Sequence, residues 1–163
     1  MRGNILLEMG KFDEAKTYFD RTLKMTEESA LSQEIKDNAR RFHHYNLATV
    51  ALGKNDLATA KSESDSFRQW AEAKKNPAQI RLAHDLAGMI ALAEKDYDKA
   101  IAELKQGNQQ NPYTLYRTCL AYYGKGDAAA AKEWCTKAAK FNPLPALNHA
   151  FVRTKAEKIA ARA

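Results

Sequence analysis

The chain has 163 residues, a one-domain length, and its 45% hydrophobic content is enough to bury a continuous core, which excludes a disordered polymer. Seven glycines and four prolines against 28% charged residues favour helix over strand, and the longest near-apolar run, Leu86 to Ala93, falls far short of the roughly 20 residues of a membrane span. The net charge of +6 is unevenly placed, with 15 basic and 16 acidic side chains in residues 1–98 but 11 and 4 in residues 99–163, a bias read as solvated helix faces that could also steer an acidic partner.

Helical periodicity and turn residues predict helices over 1–9, 12–26, 31–53, 56–75, 78–94, 97–109, 113–124, 127–141 and 145–161. The opening residues Met1-Arg2-Gly3-Asn4 lack the apolar core of a secretory signal. Met1 aligns inside a first helix, about five residues after that helix should begin by comparison with the other copies. The expectation is therefore that the chain is the C-terminal part of a longer protein, with pairing of the open edge to another chain as the alternative. The compartment stays unknown, cytoplasmic by default.

A six-residue pattern recurs along these elements: a turn residue, a polar residue, a bulky one, two variable positions and an alanine. It reads Gly10 to Ala15, Asn55 to Ala60, Lys95 to Ala100 and Gly126 to Ala131. Twelve residues before each closing alanine stands a small residue, Gly3, Ala48, Gly88 or Cys119. Small side chains on facing helices permit close antiparallel packing, and a Gly or Asn between them supplies a left-handed turn. Phe12, Leu57 and Tyr97 should fill the seam between helices, whereas Ala128 leaves that place thinly filled. Closing prolines follow in two copies, as Asn111-Pro112 and Asn142-Pro143, where Asn can cap a helix and Pro can open it.

This pattern resembles the tetratricopeptide repeat family over residues 1 to about 143. The resemblance implies an all-α fold, a single domain forming a right-handed α–α superhelix of about four helical hairpins, near 1–26, 31–75, 78–109 and 113–141. A capping helix is expected near 145–161, because each repeat alone leaves an apolar face exposed. The closing alanines stand 45, 40 and 31 residues apart, against a family period of about 34. The eleven extra residues before the second copy are expected to lengthen its first helix by about three turns.

Family resemblance also implies a concave groove lined by the first helices, holding a protein or peptide partner. Carried over position by position, its lining is Asn4, Leu7, Tyr45, Thr49, Asp85, Met89, Tyr116, Leu120 and Tyr123, while Phe42 is expected to pack between helices. Asn4 and Asn46 occupy the asparagine places of the carboxylate-clamping members, yet Leu82 and Leu86 stand where those members carry basic residues, so no clamp is expected. Self-association through the first repeat, giving a homodimer, is the alternative function.

Other chemistries find little support. Cys119 and Cys135 lie sixteen apart without zinc-site spacing and are expected to be small core residues, not a redox pair. His43, His44, His84 and His149 form no metal-binding helical pair, and neither a phosphate loop nor a serine elbow is present. A non-catalytic scaffold without metal or cofactor is the expectation. Lys132, Lys137, Lys140, Arg153 and Lys158 alternate with apolar residues at helical spacing, which argues against a nucleic-acid surface.

Overall fold

The computed structural model describes residues 2–141 and 147–163. Among these residues there is helix and no strand: α1 Arg2–Glu8, α2 Phe12–Glu28, α3 Gln33–Gly53, α4 Leu57–Ala73, α5 Pro77–Ala93, α6 Tyr97–Gln106, α7 Pro112–Lys125, α8 Ala128–Lys140 and α9 Leu147–Ala160. Each predicted helix is present. The Asn142-Pro143 pair, Pro145 and Ala146 lie outside the described residues. The eleven extra residues are shared between neighbours. At 21 residues α3 exceeds α7 by seven, but α2, with 17, exceeds α6 by the same number.

Four turns repeat one geometry, and it explains why the six-residue pattern was visible. Gly10, Asn55, Lys95 and Gly126 adopt φ of 71°, 60°, 63° and 87°. The amide of the following residue then donates back to a carbonyl five positions earlier, as in Asp96 N to Ala91 O at 2.9 Å and Asp127 N to Tyr122 O at 3.0 Å. Such bonds satisfy carbonyls that a helix end would otherwise leave open. Asp56, Asp96 and Asp127 next cap the helices that follow, accepting from Thr59 N, Lys99 N and Ala130 N. Lys11, in the same place, makes no side-chain cap.

The chain forms two compact units, Met1–Pro77 and Ala78–Ala163. In the first, Ala15, Phe19 and Val50 form a buried cluster joined by Leu6, Leu7, Phe12 and Tyr18. Gly3 makes this possible, since a Cβ there would overlap the Phe19 ring. Phe67 is fully buried, with the Phe42 and Tyr45 rings 6.0 and 5.5 Å away. The Phe12 ring lies against Gly53, at the end of the next hairpin's first helix.

In the second unit Ala91, Ala100, Ile101, Leu104 and Ala121 form one cluster, with Leu104 seated on Gly88. Tyr97 lies over Gly124 as Phe12 lies over Gly53. A second cluster joins Leu115, Cys119, Cys135 and Ala138 to Val152 and Ala156 of α9, so the last helix covers the fourth hairpin. The cysteines depart from expectation. They are core residues, both at 0% exposure, but they are bonded to each other as a disulfide. Position decides this: Cys119 holds the small-residue place on α7 and Cys135 faces it from α8, with Cα atoms 5.1 Å apart, within the range a disulfide spans.

Candidate partner-binding surfaces

In the first unit the four expected groove residues have different surroundings. Asn4 is exposed, and Leu7 is half-buried against the Phe19 cluster. Tyr45 is half-buried with its ring on Phe67, and the Thr49 hydroxyl donates to Asn46 O at 2.7 Å within its own helix. Asn4 and Asn46 do come together. They line a cleft of about 320 Å³ with Tyr18, Thr22, Phe42 and His43. His43 reaches Asp20 at 3.1 Å, and its pKa is lowered because burial outweighs the attraction of that carboxylate. A second cleft, of about 490 Å³, is lined by Arg2, Tyr18, Met25 and Leu31, of which Met25 is 61% exposed.

Asp85 is not a groove residue. Its side chain is 1% exposed, accepts from the Thr114 hydroxyl at 2.9 Å and from Asn108 N at 3.3 Å, and so ties α5 to the 107–111 loop and to α7. Burial pushes its carboxyl above the ordinary range, opposed by those two hydrogen bonds and by Arg117 and His84. Gly107 fits this arrangement because a Cβ would overlap the carboxylate. The same contact explains why α6 stops at Gln106, three residues before its predicted end at 109.

Elsewhere in the second unit Met89 and Leu120 are half-buried. Tyr116 is half-buried and packs against the cluster shared by α7, α8 and α9, which gives it a core contact as well as a surface. Tyr123 is 48% exposed. Spaced by four and then three residues, Tyr116, Leu120 and Tyr123 share one face of α7. A further cleft of about 720 Å³ between α8 and α9 is lined by Thr136, Lys140, His149, Arg153 and Glu157. His149 Nε2 donates to Ala139 O at 3.0 Å there, and Arg153 pairs with Glu157 at 3.1 Å.

Two matched polar pairs escaped the sequence analysis. His44 Nδ1 meets Glu63 and His84 Nδ1 meets Glu103, each at 2.7 Å and each nineteen residues apart. A signal existed, since both histidines stand four before the small residue and both glutamates three after the closing alanine. The fourth hairpin has Leu115 and Trp134 in those places. Among the described residues no group of three His, Cys, Asp or Glu side chains is placed to hold a metal, and no helix is long and apolar enough to cross a membrane.

The family model for the tetratricopeptide repeat matches residues 1–29. DnaJ homolog subfamily C member 3 of Homo sapiens is 30% identical over 138 residues, which is 77% of this chain and 25% of that protein. The chain thus spans about a quarter of the relative's length. No solved structure matches it. The same small residue, left-handed turn and closing alanine recur past the matched segment as far as Ala131, and on these grounds the chain belongs to the tetratricopeptide repeat family.

Proposed function

We propose that the chain is a non-catalytic scaffold that holds a segment of a partner protein along the faces of its first helices. Repeats of this family generally mediate protein–protein interaction. The supporting observation is the α7 face, where Tyr123 is 48% exposed on the same side as the half-buried Leu120 and Tyr116. Such a ring offers a partner a large apolar area and a directional hydroxyl at little entropic cost. Met89 from α5 is assigned to the same role, and in the first unit so are Asn4, Leu7, Tyr45 and Thr49. Asp85 is not, because its carboxylate is already engaged.

Substitution tests the proposal. Tyr123→Ala should lower capture of a native-source partner at least tenfold, since an aromatic anchor is typically worth about 2 kcal/mol or more. Its helical circular dichroism and thermal midpoint should stay at the parent values, because the ring supports little core. Tyr116→Ala should weaken capture too, with some loss of stability from its core contact. Undiminished capture by the Tyr123→Ala chain would sink the α7 face as a binding surface.

A further inference from the structure

The place twelve residues before each closing alanine and the place four after it form a matched pair. In the first and third hairpins a glycine lets a large side chain lie against bare backbone, Phe19 on Gly3 and Leu104 on Gly88. Ala48 and Ser64 hold these places in the second hairpin, both buried. The fourth hairpin fills them with two bonded sulfurs.

On the α8 side that hairpin is closed by small buried side chains. The buried residues of α8 are Ala131, Cys135 and Ala138. Its turn carries the exposed Ala128 where the other copies carry Phe12, Leu57 and Tyr97. Once reduced, the two sulfurs are no longer bonded and must separate to van der Waals distance, turning within a core where both cysteines are at 0% exposure.

We propose that Cys119–Cys135 is a redox lock on the fourth hairpin, set while the chain folds in an oxidising compartment, and that it governs whether α7 presents its binding face. The last clause rests on the scaffold reading above. In the locking step each thiol gives up its hydrogen and the Cys119–Cys135 bond forms. A low-molecular-weight disulfide of the glutathione class takes up the two electrons and two protons as its own S–S bond breaks to two thiols. Unlocking is the reverse. Both sulfurs are at 0% exposure, so a thiol reaches them only after α7 and α8 part. The bridge therefore records the conditions of folding and does not track the thiol pool around the folded protein. Reducing compartments keep such pairs open, which sets this chain against the cytoplasmic default.

Intact-mass thiol counting and amide hydrogen exchange on the full chain test the lock. Chain folded in oxidised-glutathione buffer and denatured in alkylating agent should take up no alkyl group, and two after dithiothreitol in denaturant. In chain reduced in denaturant and refolded with dithiothreitol, protection of the α7 and α8 amides should be lower on the order of a hundredfold, as expected when a loop of this size loses its bridge, while α2 and α3 are unchanged. The double substitution Cys119→Gly with Cys135→Leu, which copies the Gly88 and Leu104 pair, should restore protection and make it the same whether the chain is refolded with or without dithiothreitol. Two free thiols in the oxidised preparation, or equal α7 and α8 protection in the oxidised and reduced chains, would overturn the lock. No partner enters these measurements, so a chain with its lock intact that is indifferent to Tyr123→Ala refutes the binding face alone.

Discussion

The third and fourth hairpins share one register but are held together by different chemistry. In the third, Leu104 lies on Gly88, His84 pairs with Glu103 at 2.7 Å, and Tyr97 reaches forward to Gly124. In the fourth, a disulfide replaces the glycine and leucine, Leu115 and Trp134 stand where the hydrogen-bonded pair was, and the short, exposed Ala128 stands where the aromatic ring was. The repeat thus constrains the spacing of contacts far more tightly than their kind. Any device that closes the seam at that depth is accepted.

The comparison breaks first at Leu104. Leu104→Ala should cost about 3 kcal/mol, read as a lower denaturant midpoint, because the vacated space over Gly88 cannot refill from a glycine. A loss under about 1 kcal/mol would show that the third hairpin does not depend on this pair. Asp85, which joins the two hairpins, gives a smaller effect with a definite sign. Its raised pKa means that folding favours the protonated acid, so its stabilising contribution is full below the ordinary value of 3.8 and is lost as pH climbs through the raised one. Relative to the parent, the Asp85→Asn chain should therefore gain in denaturant midpoint from about pH 3 to pH 7. A constant difference across that range would refute the assignment. The smallest effect concerns the turns. Gly126 bears its positive φ freely, while Lys95 holds φ 63° against its own Cβ. Lys95→Gly should raise stability by about 0.5 to 1 kcal/mol in thermal melts, and Gly126→Ala should lower it by a similar amount.

Features written into local sequence were legible. The six-residue turn motif announces its own conformation: its first residue is left-handed in all four copies, Lys95 included although only Gly or Asn was expected to bear that turn, while Lys75, the fifth left-handed residue among those described, lies outside the motif. What stayed hidden depends on which residues meet across a seam. His44 with Glu63, Cys119 with Cys135 and Phe12 with Gly53 are sixteen or more residues apart, and each partner alone looks ordinary. Asp85 was misplaced for a related reason. Position along α5 assigned it to the groove, but the Asn108 amide and the Thr114 hydroxyl draw it inward, and neither can be weighed until the 107–111 loop is folded against it.

Phe12 on Gly53 and Tyr97 on Gly124 carry a consequence for how such a chain can evolve. Each ring leaves its own hairpin and rests on a bare spot at the end of the first helix of the one downstream. A duplicated or transplanted hairpin that carries such a ring will then be tolerated only where its neighbour's first helix ends on a residue without a side chain; the hairpin with Leu57 in that place is followed by one with Ala93 there. Recombination between copies should accordingly succeed or fail by the identity of a residue outside the exchanged piece.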